Sequence, residues 1–308
     1  MSAVLTPTFN TVEFSSVVGL LLQQKGSKLR PGMMTGSHTG KQASPLNQLG
    51  AVEATEVTSR FGAMGRTDAT PDRRWVFPRS FDVPQLIDPV DLLKMNFDPS
   101  SQYVTNALYA LGRKIDDEIL RAMFTTTSKT GEQGGTDTTF LSTNVVGLNT
   151  GGANSSLNIP KLRAAKRLLM LNEVDLDNDP VYCAITADEH DALLNEVQVI
   201  SSDFNGREKP VLEDGKVVRF LGVNFVHCER IITSALALDD QSTSASSKQI
   251  PMWAQSAMYL GMWNELESSL ERRADLQSRP WQLYSIGTWG ATRLEEKKIV
   301  KIWSAARA

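Results

Sequence analysis

The most reactive side chains of the sequence fall into two short groups. The first is Asp188-Glu189-His190-Asp191, which offers ligands for a metal ion or groups for acid–base catalysis. The further residues that a zinc-protease motif requires are missing. Thr186 stands three residues before Glu189, which is the spacing of a helix capping box, and acidic residues are favourable near a helix N-terminus. We therefore interpret this group as the start of a helix.

The second group is Cys183, His227 and Cys228, which would lie together if their segments formed neighbouring strands. Cysteine and histidine are common zinc ligands in proteins. No Cys-x-x-Cys pair is present, however, and three separate ligands are a weak indication of a metal site. Buried free thiols are the more common arrangement, so we predict no metal ion and no cofactor.

The remaining candidate for catalysis is the run Asp116-Asp117-Glu118. Consecutive residues point in different directions around a helix, so these carboxylates would not act as a pair. The Gly-Gly pairs of the chain lack the lysine and spacing of a phosphate-binding loop, and no serine nucleophile elbow occurs. We predict that the chain is not an enzyme. A soluble α/β enzyme with its site in the cleft before Asp188 remains the least favoured alternative.

The composition is that of a globular protein with ample core for one large or two modest domains. Of the 308 residues 41% are hydrophobic and 22% charged, and the net charge of −3 excludes a generally basic chain that coats nucleic acid. Two cysteines give no disulfide framework and favour a reducing compartment. The apolar run 17–22 is too short to span a bilayer, so we expect synthesis in the cytosol and no membrane contact.

One long amphipathic helix is predicted over residues 98–124. Asp98 would cap its N-terminus, and Pro99 fits the first helical position, where a missing N–H costs nothing. Apolar residues recur in steps of three and four from Val104 to Met123, which gives one continuous apolar stripe. At about 1.5 Å per residue the helix spans roughly 35–40 Å. With extended sequence before it and an α/β pattern after it, we interpret this helix as a strut.

The N-terminal arm, residues 1–45, contains one short amphipathic helix among chain breakers. Phe14, Val18 and Leu22 lie on one face of this helix. Prolines and glycines surround it, and no other compact pattern is present. The apolar face must be covered by another part of the chain or by a neighbouring molecule.

Residues 46–90 are predicted to form a two-stranded β-ribbon. The first strand would span 51–58 and the second 74–83, in which Pro78 favours an edge or bulged position. A long two-stranded ribbon is only marginally stable alone, so we expect another subunit to hold it.

The tip of this ribbon, residues 61–73, carries charges of both signs that suit ion pairs between subunits. The second strand adds aromatic side chains on one face. The residues of arm and ribbon that we predict to contact a neighbouring subunit are Phe14, Val18, Leu22, Arg66, Asp68, Asp72, Arg73, Arg74, Trp75 and Phe77.

A small α/β pattern begins after a long loop rich in Thr, Gly, Ser and Asn over 125–158. Asn158 or Ser156 would cap a helix from Pro160. The following predicted elements are a buried strand at 181–186, the capped helix from 187, a hairpin turn at 213–216, two strands within 217–228, an exposed loop at 238–249, further strands from 252 and a closing strand at 299–303. The helix after Pro160 has a basic side, which is a solvated face or one that faces packaged nucleic acid. The cationic residues of that side are Lys161, Arg163, Lys166 and Arg167.

In order and in local sequence, these parts resemble the tailed-phage major capsid protein family. The resemblance covers roughly residues 49–303, and the order of the motifs carries it. The matching segments are 87–91, 110–120, 162–169, 185–194, 220–226 and 290–300. The resemblance implies an α+β fold with an N-terminal arm (1–45), an extended loop (46–90), a peripheral domain (91–154 and 263–308) that contains the spine helix 98–124, and an axial domain (155–262).

The resemblance also implies a structural function. Copies of the chain would assemble as hexamers and pentamers into an icosahedral shell around double-stranded DNA of a tailed phage. Implied partners are other copies, a scaffolding protein, a portal, optional decoration or cement proteins, and DNA bound without sequence specificity. The expected location is the virion, after assembly in the host cytoplasm. An encapsulin-like nanocompartment shell, which has the same fold around a protein cargo, is the nearer alternative.

Some members of this family link their subunits covalently through a lysine in the extended loop. This chain has no lysine between Lys41 and Lys94. We therefore expect no crosslink of that type.

Overall fold

The computed structural model describes residues 23–42, 47–56, 60, 65–87, 100–125, 138–153, 155–196, 212–213, 215–233, 247–277 and 279–305. The helices are α1 (Ser100–Phe124), α2 (Ile159–Leu171), α3 (Ala187–Leu194) and α4 (Arg230–Thr233). The strands are β1 (Met34–Ser37), β2 (Asn47–Leu49), β3 (Pro71–Arg73), β4 (Arg79–Ile87), β5 (Val145–Val146), β6 (Val181–Ile185), β7 (Leu212–Glu213), β8 (Lys216–Val217), β9 (Arg219–Phe220), β10 (Val223–His227), β11 (Ser247–Ala254), β12 (Met258–Arg272), β13 (Trp281–Arg293) and β14 (Ile299–Ala305).

Two mixed sheets organise these strands. The smaller has the order β1-β12-β13-β4, in which β1 runs parallel to β12 and the other neighbours are antiparallel. The larger has the order β5-β14-β11-β6-β10-β9. β5 and β14 come from the segments of the predicted peripheral domain, and the other four strands from the predicted axial domain. One hydrophobic core extends from α1 through both sheets.

The predicted long helix is confirmed as α1 within the described residues. Leu111, Ile115 and Ile119 of the predicted stripe are buried, and α1 packs mainly against β13. Its first described residue is Ser100, and the predicted cap at Asp98 and Pro99 lies outside the described residues.

The second half of the arm is packed against its own chain, which the sequence pattern did not predict. Leu29 and Met33 are buried in the core, and β1 pairs with β12. This segment has no amphipathic period in its sequence. Its backbone polar groups are hydrogen-bonded by residues that are distant in the sequence. One such residue is Trp253, whose indole Nε1–H donates to the Gly32 carbonyl at 2.8 Å.

The strands of the ribbon lie at other residues than predicted. Residues 51–56 form no strand and are exposed; instead β2 pairs with β3. A Val/Thr-rich segment gains from strand structure only on a half-buried pleated surface, and this one has none. The second strand begins at Arg79 rather than at residue 74, continues to Ile87 and joins β13 as the other edge of the smaller sheet. An edge position is what Pro78 indicated.

The α/β part follows its prediction closely. Asn158 caps α2 by accepting a hydrogen bond from the Lys161 backbone N–H at 3.0 Å. Gly215 has a φ of 75° in the turn between β7 and β8, a conformation that suits glycine. The predicted exposed loop at 238–249 is wrong at its end, since 247–249 already belong to β11. The closing strand is β14.

Candidate functional site

The acidic tetrapeptide is a helix start. The Thr186 backbone N–H donates to Glu189 Oε2 at 3.2 Å, and the two residues form the predicted capping box. Glu189 is fully buried, and its Oε1 accepts a hydrogen bond from Ser304 Oγ of β14 at 2.9 Å. Lys248 pairs with Asp188 beside it. Asp188 and Glu189 therefore fasten α3 to the larger sheet.

The cysteines and His227 do not form a metal site. Cys183 and Cys228 are buried free thiols, and burial raises the pKa of Cys183 strongly and that of Cys228 to about 11. The His227 ring instead lies 2.8 Å from the exposed Glu229 carboxylate. Within the part of the chain that the structure describes, no group of three or more His, Cys, Asp or Glu side chains could hold a metal ion.

The acidic run on α1 points in three directions, as predicted. Asp116 is buried against the arm, where the backbone N–H groups of Lys28 and Leu29 donate to its carboxylate at 3.0 and 3.2 Å. Asp117 binds Arg230 of α4. The third carboxylate, Glu118, pairs with arginines of β4 and of its own helix. Each acid thus holds a different neighbour of α1, and no two of them converge.

The C-terminal end of α1 is held by a residue that the sequence did not single out. Arg293, the last residue of β13, is fully buried, and its Nη1 donates to the carbonyls of Ala122 and Met123 at 3.0 and 3.1 Å. The last carbonyls of a helix lack intrahelical donors and attract a cation. Burial lowers the pKa of Arg293 to about 10. An isolated arginine at a strand end gives no local signal of this role.

Several charges at the base and tip of the ribbon are paired within the chain. Arg66 and Asp68 form an exposed ion pair at 2.8 Å. Arg74 is buried, and its Nη2 lies 2.9 Å from Glu296 and 3.4 Å from Asp72. Arg74 therefore anchors the ribbon base to the segment between β13 and β14.

The other predicted contact residues are placed as follows. Arg73 is exposed, and Trp75 and Phe77 are half-buried on either side of the buried Val76. Phe14, Val18 and Leu22 lie outside the described residues. The role of all ten residues between subunits stays a prediction.

The basic side of α2 is smaller than the sequence indicates. Lys161 is fully buried and donates through Nζ to the carbonyls of Ser155 and Trp303, the latter at 2.8 Å. Lys166 donates to the Leu221 carbonyl at 2.9 Å. Arg163 and Arg167 remain exposed beside Met170 and Leu171. Two of the four cations of this helix are therefore held by backbone carbonyls, and two remain exposed.

A comparison with protein-family models matches the phage capsid protein family over residues 5–305. The chain belongs to the phage capsid protein family. A search of curated proteins finds no match. None of the helices in the described ranges has the length and hydrophobicity needed to cross a membrane.

Solved structures of phage capsids share the fold of this phage capsid protein. The capsid of the cyanophage Pam1 is 12% identical with a TM-score of 0.74, and the match covers 99% of each chain. The capsid of the cyanophage P-SCSP1u is 15% identical with a TM-score of 0.70, covering 96% of this chain and 94% of that one. The capsid of Ralstonia phage GP4 is 11% identical with a TM-score of 0.67, covering 100% and 99%. The α+β capsid fold predicted from the sequence is confirmed.

Proposed function

We propose that this chain is the major capsid protein of a tailed phage. Its copies assemble as hexamers and pentamers into an icosahedral shell that encloses double-stranded DNA. The observation that carries the proposal is the family match over residues 5–305, almost the whole chain. The strut-like helix α1 supports it, because three of its acids and its last carbonyls fasten the arm, β4, α4 and β13 around one rigid rod.

In this proposal each part of the chain has a position in the shell. The arm (1–45) ties neighbouring subunits together, and the extended loop (46–90) lies over the adjacent subunit. The peripheral domain (91–154 and 263–308) is supported by α1, and the axial domain (155–262) gathers around the symmetry axis of each capsomer. The larger sheet takes strands from both domains, so axial and peripheral parts would move together where that sheet joins them.

Contacts between subunits would use the arm face Phe14, Val18 and Leu22 and the ribbon. Burial of apolar surface, at about 25 cal/mol per Å², is the main driving force, and many repeated weak contacts make a durable shell. On the ribbon the exposed Arg73 and the half-buried Trp75 would be available to a neighbour.

The proposed partners beyond other copies are a scaffolding protein, a portal, optional decoration or cement proteins, and packaged DNA. The protein would reside in the virion after assembly in the host cytoplasm. The chain would have no catalytic role, since the acids and thiols that could do chemistry are engaged in packing or helix capping.

Mass measurement combined with nuclease protection tests this function. The chain is expressed with and without its genomic neighbours, and assemblies are separated by size-exclusion chromatography with light scattering. We expect capsomers or shells, and particles formed with the packaging genes should retain nuclease-resistant DNA. Shells that retain a protein cargo and no DNA would favour the encapsulin-like alternative. A monomer under all conditions would contradict both.

A further inference from the structure

The outer face of α2 combines exposed positive charge with exposed apolar surface. Met170 and Leu171 are 60% and 62% exposed, among the highest values of the described large apolar side chains. Arg163 and Arg167 are exposed about two turns and about one turn before them, respectively, on the same helix. These four residues line a shallow open cleft together with Pro160 and Leu221. We name Arg163, Arg167, Met170 and Leu171 the α2 patch.

The cations of the α2 patch have no acidic partner among the residues that the structure describes. Neither Arg163 nor Arg167 forms an ion pair with any residue that the structure describes, whereas Lys161 and Lys166 of the same helix are held by backbone carbonyls. Arginine and methionine are enriched at protein interfaces, where an apolar centre is surrounded by polar groups. A DNA backbone would use the cations but gain little from the apolar residues, so this composition favours a protein partner.

A complementary surface follows α2 directly. Glu173, Asp175 and Asp177 are exposed, and Glu173 and Asp177 form no ion pair within the described ranges. Asp175 shapes this turn by accepting hydrogen bonds from the backbone N–H groups of Asp177 and Asn178 at 3.2 and 3.3 Å. A hydrogen bond from the Asn178 side chain, together with these two backbone hydrogen bonds, lowers the pKa of Asp175, so this residue keeps its negative charge. We name Glu173, Asp175 and Asp177 the acidic turn.

We propose that the α2 patch of one copy binds the acidic turn of the next copy around a capsomer. The two surfaces have opposite charge and are different parts of one chain, and in the proposed ring the contact is head-to-tail, with the patch of each copy on the turn of the next. Head-to-tail contacts generate closed rings when the rotation between neighbours closes, as hexamers and pentamers require. The proposal rests on the proposed shell function and names an interface that would build it.

Charge reversal with internal rescue tests this interface. The patch variant Arg163→Glu/Arg167→Glu places two negative charges opposite the acidic turn. The turn variant Glu173→Lys/Asp177→Lys places positive charges opposite the patch and keeps Asp175, which shapes the turn. The quadruple variant carries both changes, so the two surfaces again have opposite charges, now negative on the patch and positive on the turn. Lys25→Glu/Lys41→Glu, at two exposed lysines in the part of the arm that packs against its own chain, matches the charge change of the patch variant.

All variants are compared with the wild-type chain under the conditions in which it forms rings or shells, by sedimentation velocity and negative-stain microscopy. Circular dichroism verifies the fold of each unassembled variant. We expect the patch and turn variants to lose the sedimenting species that correspond to rings and shells. The quadruple variant should regain these species, and the matched lysine variant should keep them.

Two results would overturn the interface while leaving the shell function intact. Double variants that assemble like the wild type would place the patch outside the contact, and a loss of packaged DNA from such shells would assign the patch to DNA. Failure of the quadruple variant to regain assembly would show that the two surfaces are not partners. Failure of the wild-type chain to assemble in any condition would count against the shell function itself.

Discussion

Gly112 of α1 faces Gly26 of the arm so closely that a Cβ added at Gly112 would lie 2.6 Å from the Gly26 Cα. Gly26 has a φ of 68°, in the left-handed region that favours glycine. The two glycines let the arm cross the helix in direct backbone contact, one turn before Asp116 receives the next arm residues. This crossing fixes the path of residues 26–29 over α1.

Gly112→Ala should loosen the arm. The methyl group would displace backbone atoms of residues 26 and 27, and overpacking of this kind costs about 1–3 kcal/mol. We expect a lower free energy of unfolding and faster proteolysis near residues 23–29. Gly147→Ala, whose added Cβ meets nothing nearer than 3.9 Å, is the control. Equal stability of Gly112→Ala and the wild type would show that the crossing is not tight.

Asp116→Ala should detach the same segment by a different route. The backbone N–H groups of Lys28 and Leu29 would lose their acceptor, and leaving a buried donor unpaired costs about 1–3 kcal/mol. Hydrogen exchange of these two amides should accelerate well beyond that of amides in β13. Asp116→Asn, which keeps one acceptor oxygen, should have a smaller effect. Unchanged protection of both amides in Asp116→Ala would refute the anchor.

Arg293→Met should weaken the end of α1. The substitution keeps much of the side-chain volume but removes the donors to the carbonyls of Ala122, Met123 and Thr125. We expect a loss of at least about 2 kcal/mol in the free energy of unfolding, because several buried acceptors become unpaired. Arg273→Met, which breaks an exposed pair with Asp275, should change stability little. Similar unfolding curves for the two variants would contradict the assigned role.

Lys161 should make stability depend on alkaline pH. Burial lowers its pKa from 10.5 to about 8 in the folded chain, and the attraction of Glu189 opposes this only in part. Between these two values the unfolded chain binds more protons, so the free energy of unfolding rises with pH. Urea unfolding of the unassembled chain at about pH 7 and about pH 10 should show that the wild type gains stability relative to Lys161→Met. A constant difference would indicate that the pKa of Lys161 is unshifted, a falling difference would indicate a raised pKa, and either result would contradict the prediction.

Particles of this chain should dissociate into single subunits in hot SDS. The extended loop offers no lysine for the covalent link of some relatives, because none occurs between Lys41 and Lys94. Electrophoresis of purified particles should therefore give a single band at 33.9 kDa for this chain. A ladder of larger species that resists heat and SDS would overturn this expectation.

Sequence pattern was sufficient where local chemistry decides the structure. The stripe ending at Met123 predicted α1, and the caps at Asn158 and Thr186 predicted α2 and α3. Each of these signals is complete within one or two turns of chain, so no distant residue is needed to interpret it.

The sequence pattern was insufficient where residues distant in the sequence determine the local structure. Packing of the arm depends on Asp116 and the β12 edge, and the actual strand at 79–87 depends on pairing with β13. Lys161 looked like a surface cation because only the fold brings the carbonyls of Ser155 and Trp303 to it. The α2 patch therefore contains the two exposed arginines and not this buried lysine.

Negative-stain electron microscopy of the purified chain, fractionated by size and prepared with and without its genomic neighbours, tests the central claim most directly. The account predicts rings of five or six subunits, or closed icosahedral shells. A compact monomer in every preparation would contradict it, because the arm and ribbon would then fold back on their own subunit and no neighbour would be needed to complete the fold.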